Sequence, residues 1–130
     1  MSFVTIMMGS EKDLEFANII IKKLNEFKID NQFFICSAHK NTMQVLYNIS
    51  ELDRNKKNII VTIAGMSNAL SGVVSANSTF PVIACPPFKD NIDMMVNINS
   101  TLQMPSKIPV LTILDPENCA IAIKRILDLL

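Results

Sequence analysis

Five short apolar runs punctuate the chain, and each is followed by a longer segment with helical spacing. The strand-like runs go from Phe3 to Met8 (FVTIMM), Gln32 to Cys36, Asn58 to Ile63 (NIIVTI), Pro81 to Cys85 and Val110 to Leu114. Runs that are near-continuously apolar, rather than alternating, belong to a parallel sheet covered on both faces. Between them, Asp13 to Phe27 puts Leu14, Ala17, Ile20, Ile21, Leu24 and Phe27 on one helical stripe. Thr42 to Leu52 does the same with Met43, Leu46 and Ile49. Further helices are expected over about Asn68 to Asn77, over Asp90 to Gln103, and from Glu117 to the end. Pro116 stands near the start of the last one, where proline is favoured.

Right-handed crossovers turn this alternation into an α/β three-layer αβα sandwich. Five strands suggest a five-stranded parallel sheet in the flavodoxin-like order 2-1-3-4-5, with residues 1–130 as a single domain. In such sheets ligands sit at the carboxyl ends of the strands, near the switch point between strands 1 and 3. The loops after Met8, Cys36, Ile63 and Cys85 are therefore the place to look for function.

Composition narrows the chemistry. Twelve basic and twelve acidic residues leave no net charge, which argues against a general nucleic-acid binder. His39 is the only histidine, so every metal site needing two of them is excluded. Cys36, Cys85 and Cys119 are odd in number and lack CxxC spacing, so neither a disulfide framework nor a zinc site is indicated. They read as buried thiols in a reducing compartment. No apolar stretch reaches the roughly 20 residues of a membrane span, and no basic leader precedes the first strand. A cytoplasmic protein without a membrane partner is expected. Charged residues are 18%, below the roughly 25% of an ordinary domain, and the last helix reads as apolar almost all round. Both point to a surface buried against copies of itself.

Each strand-end loop has a chemical and a structural reading. In Gly9-Ser10-Glu11-Lys12-Asp13, Ser10 can donate to a phosphate and Asp13 can accept from sugar hydroxyls; equally, Ser10 and Asp13 have the spacing of a capping box. Ser37-Ala38-His39-Lys40 sets a hydroxyl, an imidazole and an ammonium directly after a strand. Histidine can exchange protons near neutral pH, and Lys40 can neutralise a phosphate or carboxylate. A lone histidine is also often structural. In Ala64-Gly65-Met66-Ser67-Asn68, small residues allow backbone amides to approach a ligand, while Ser67 or Asn68 can simply cap the next helix. Pro86 and Pro87 stiffen the exit of the fourth strand.

Taken together, these loops resemble the purE family of purine biosynthesis. MMGSEKD is similar to the family's MGSxSD start, SAHK to its SAH[RK] element, AGMSNALSG with NSTFPVIACPP to its third and fourth loops, and LQMPSKIPV to its later LxMPSG segment. The resemblance covers nearly the whole chain in order. Lys40 after His39, Ser67-Asn68 without a histidine in the third loop, and Cys85-Pro86-Pro87 resemble the class that carboxylates aminoimidazole ribonucleotide directly (class II). Met66 departs from the arginine often found there.

The resemblance implies a phosphoribosylaminoimidazole carboxylase that uses carbon dioxide without ATP, biotin or metal. It implies His39 as the proton shuttle and Asp13 at the ribose. It implies Ser10, Ser37 and Lys40 around the phosphate and carboxylate, Ala64, Gly65, Ser67 and Asn68 around the imidazole and carbon dioxide, and Gly9 among the substrate-binding residues. It also implies a homo-octamer or tetramer. Two alternatives stand beside it: the mutase class, which rearranges the N5-carboxylated ribonucleotide, and a non-catalytic flavodoxin-like nucleotide-binding module. A receiver domain is disfavoured because the first and third strands end in Met8-Gly9 and Ala64-Gly65, not in acidic residues.

Overall fold

The computed structural model describes residues 2–130. Five parallel strands form one sheet in the order β2-β1-β3-β4-β5. They are β1 (Ser2–Met8), β2 (Asp30–Ile35), β3 (Lys57–Ile63), β4 (Val82–Ala84) and β5 (Leu111–Thr112). Six helices connect and flank them: α1 (Leu14–Glu26), α2 (Thr42–Ser50), α3 (Leu70–Ala76), α4 (Asn91–Asn97), α5 (Asn99–Leu102) and α6 (Pro116–Asp128). The expected strand order is the observed one.

The apolar runs explain the layering. Alternate residues of β1 and β3 feed opposite faces: Val4, Ile6, Met8, Ile59, Val61 and Ile63 pack with Ala17, Ile20 and Leu24 of α1 and Cys119, Ala120 and Ile123 of α6. Met7 and Ile60 point the other way, onto Val45 and Ile49 of α2 and Leu70 and Val74 of α3. Nearly every residue of β3 is buried, as a central parallel strand requires.

Four expectations need correction. The fourth and fifth strands are shorter than the apolar runs: Pro81 has no N–H to donate, although its carbonyl still accepts from the Ile60 N–H at 3.0 Å. Val110, Ile113 and Leu114 fall outside β5, an edge strand held on one side only. The helix expected over Asp90 to Gln103 is two pieces. Asparagine disfavours helix interiors, and the Ser100 hydroxyl donates back to the Asn97 carbonyl at 2.7 Å, competing with the ladder. The last helix is not apolar all round. Glu117, Asn118, Arg125 and Asp128 form an exposed side, and Lys124 pairs with Asp128 at 2.6 Å. The exposed Leu129 and Leu130 lie beyond its end.

Candidate active site

A cavity of about 520 Å³ opens at the carboxyl ends of β1, β2, β3 and β4. That volume suits a small-molecule ligand. The first loop enters it because the Gly9 N–H bonds the Ile63 carbonyl at 2.9 Å, tying β1 to β3 at the switch point. A 3₁₀ turn over Glu11–Asp13 follows, and Ser10 caps it, its Oγ accepting from the Lys12 N–H at 3.2 Å. Asp13 ends this turn half-buried on the cavity wall. Burial pushes its carboxyl above the ordinary carboxylate range, partly countered by the Ser10 backbone N–H. The capping and ligand readings of this loop are thus compatible, since Ser10 and Asp13 both line the cavity.

The second loop folds back on itself. Ser37 Oγ accepts from the Lys40 N–H at 3.1 Å, the Ser37 carbonyl accepts from the Asn41 N–H at 2.9 Å, and Thr42 Oγ1 donates to the Ala38 carbonyl. This turn leaves the His39 and Lys40 side chains exposed on the cavity wall. In the third loop, Ala64, Gly65 and Ser67 line the same cavity. Met66 turns the chain with φ of 57°, a left-handed conformation uncommon for a long side chain. A Cβ on Gly65 would stand 3.4 Å from the Pro87 carbonyl, so the third and fourth loops are in close contact there.

The cavity wall therefore includes Gly9, Ser10, Asp13, Ser37, His39, Lys40, Ala64, Gly65 and Ser67. Asn68 stands apart from them. It is buried behind the wall, where its Nδ2 donates to Ser71 Oγ at 2.7 Å and Thr101 Oγ1 at 3.0 Å, and its Oδ1 accepts from the Ser71 N–H at 3.2 Å. Its geometry is that of a cap that holds the loop, one of the two readings its sequence allowed. Sequence reasoning passed over Lys12, Phe88, Lys89 and Asp93, which also line the cavity. Lys12 stands within the first-loop motif without a role of its own, and no motif marks Phe88, Lys89 and Asp93, because the segment after β4 reaches the cavity only through the fold. The thiols belong to the core. Cys85 is held far up by a hydrogen bond with Cys119 and by burial, and burial raises Cys36, so neither is a ready nucleophile.

A family model described as AIR carboxylase matches residues 3–130. The chain belongs to the AIR carboxylase family. It is similar to a phosphoribosylaminoimidazole carboxylase of Archaeoglobus fulgidus, with 43% identity over 95% of this chain and 68% of that protein. It is 37% identical to an N5-carboxyaminoimidazole ribonucleotide mutase of Methanocaldococcus jannaschii, over 97% of this chain and 79% of that one. The crystal structure of Treponema denticola PurE superposes with a TM-score of 0.89 at 38% identity, covering 99% of this chain and 82% of that one. Multifunctional animal relatives are longer, and the chain spans only 28–29% of their length. On this membership the chain is a carboxylase- or mutase-type enzyme of purine biosynthesis.

Proposed function

We propose that this chain catalyses the reversible carboxylation of 5-aminoimidazole ribonucleotide by carbon dioxide, giving 4-carboxy-5-aminoimidazole ribonucleotide. The observation that carries the reading is the gathering of His39, Lys40, Ser10, Asp13 and the Ala64–Ser67 backbone around one cavity. The ring is enamine-like, so its C4 is already nucleophilic. C4 attacks the carbon of carbon dioxide, and one C=O electron pair becomes the second carboxylate oxygen's charge. The C4–H proton then leaves to the His39 imidazole and the ring recovers its aromaticity. In reverse, His39 returns the proton to C4 and carbon dioxide departs. The remaining task is positioning, which a rigid wall at the strand ends serves. Asp13 accepts from ribose hydroxyls, Ser10 and Lys40 hold the phosphate, and the amides of the third loop face the forming carboxylate.

Lys40, the Ser67-Asn68 pair and Cys85-Pro86-Pro87 support the direct class. A second reading, the mutase, is favoured by the M. jannaschii relative that bears that name. One assay separates them: aminoimidazole ribonucleotide with bicarbonate, without ATP, beside the N5-carboxylated ribonucleotide alone. Turnover of the first supports direct carboxylation, and turnover of the second alone overturns it. A cytoplasmic setting fits three free buried thiols; no helix among the described residues is long and apolar enough to cross a membrane. Self-association is part of the proposal, carried by the apolar surface of α4 and α5 rather than by α6.

A further inference from the structure

The cavity wall beside β4 is held by a chain of hydrogen bonds that the motifs leave unassigned. Both Asp93 carboxylate oxygens are occupied: Oδ2 accepts from the Lys89 backbone N–H at 2.9 Å, and Oδ1 from Asn97 Nδ2 at 2.7 Å. The Asn97 carbonyl accepts from Ser100 Oγ at 2.7 Å, and Ser100 Oγ accepts from the Asn68 N–H at 2.9 Å. Asn68 is in turn anchored to Ser71 and Thr101. The loops after β3 and β4 are thus tied together through α4 and α5.

This chain fixes where Lys89 stands. Lys89 lines the cavity, and among the described residues its ammonium forms no ion pair. Asp93 takes the Lys89 backbone N–H rather than its ammonium, and this bond, the Asn97 bond and the nearby Lys89 charge together hold its carboxyl below the ordinary range. Across the cavity, Lys12 and Lys40 lie on the loops after β1 and β2. The strand order separates β2 from β4 by three strand spacings, about 14 Å. The cavity therefore carries cations at both ends. The two ribonucleotides of the proposed reaction differ in this respect: both have a phosphate, but only the product has an anion on the ring.

Resting on the carboxylation reading above, we propose that Lys89 binds the ring carboxylate of the carboxylated ribonucleotide. Asp93, Asn97 and Ser100 are positioning residues that hold the Lys89 backbone in place for it. Lys12, Lys40 and Ser10 serve the phosphate at the other end. An ammonium–carboxylate contact of this kind strengthens as the carboxylate forms, so it favours the carboxylated state over free carbon dioxide.

The test is Lys89→Met in the full chain, with KM measured from initial rates in both directions. KM for the carboxylated ribonucleotide is expected to rise about tenfold more than KM for the uncarboxylated one. Lys89→Arg should restore most of that ratio, and Lys89→Gln should repeat the loss without the added apolar surface. Lys89 is exposed, so the unfolding midpoint should stay at the wild-type value. An equal rise in both KM values would assign Lys89 to the phosphate and overturn the proposal. No change in either, on an active enzyme, would also overturn it while leaving the carboxylation reading intact. A wild-type chain inactive on both ribonucleotides would overturn that reading and this assignment with it.

Discussion

His39 is the sole imidazole of the chain, and it projects from a loop whose turn is built by its neighbours: Ser37 receives the Lys40 N–H, and Thr42 caps the Ala38 carbonyl. Its removal therefore subtracts a proton carrier without subtracting a contact that forms the loop. His39→Asn is expected to keep the wild-type circular dichroism and lose about 10²- to 10⁴-fold in kcat; near-normal turnover would exclude the proton-shuttle role. Asp13 has a different dependence. Burial raises its pKa above the ordinary 3.8, so the folded chain holds its proton to higher pH than the unfolded one does. Its contribution to stability is fully present below that ordinary value and is lost as pH rises through the raised one. Ribose binding by the ionised form runs the opposite way. Acidification through the raised pKa should thus increase KM for the ribonucleotide while slightly stabilising the fold. Asp13→Asn should flatten both trends, which KM and the unfolding midpoint measured across the acid range will reveal.

At the scale of elements, α1 ends in a way its sequence disguises. The Ile29 N–H reaches the Leu24 carbonyl at 2.9 Å and the Lys28 N–H reaches Asn25 at 3.0 Å, with Lys28 at φ of 59°. This is a Schellman ending with lysine where glycine is usual. Lys28→Gly should stabilise the chain by about 1 kcal/mol in urea unfolding, since it removes the left-handed penalty at an exposed position; no gain would mean that the lysine side chain compensates locally. The Asp90 to Gln103 segment teaches the converse. Its apolar residues have helical spacing, but asparagines and Ser100 supply hydrogen bonds that rival the helical ladder, and the segment divides in two. The division gives Ser100 and Thr101 their contacts with the loop after β3.

For the molecule as a whole, α4 exposes more large apolar side chains than any other helix among the described residues. Ile92, Met95 and Val96 of α4 are each more than 70% exposed, and Leu102 and Leu111 are more than half exposed. Apolar exposure on this scale marks a contact surface. Light scattering at micromolar concentration is expected to give a mass several times the 14.5 kDa chain, and Met95→Lys with Val96→Asp should lower it. A wild-type monomer would refute self-association. The layered fold and the strand order were legible from sequence because five uninterrupted apolar runs leave a parallel sheet few other arrangements. The end of β5 was not, because an edge strand is held on one side only by its neighbour; the division of α4 from α5 and the polar side of α6 were written locally, in Asn97 and Ser100 and in Glu117, Asn118, Arg125 and Asp128, but are masked by the apolar periodicity around them.

The same division runs through the site. Local chemistry marked the loops that hold Ser10, Asp13, Ser37, His39 and Lys40 as the place to look, because strand ends are where a parallel sheet meets its ligand, and the family resemblance gave each residue its role. Tertiary structure decided the rest. It drew Asn68 behind the wall, because a buried amide takes the hydrogen-bond partners its surroundings offer. It also brought Lys89 to the cavity: Asp93, Asn97 and Ser100 are linked within one local stretch, and the bond from the Asn68 N–H to Ser100 Oγ, 32 residues apart in sequence, ties that stretch to the loop after β3.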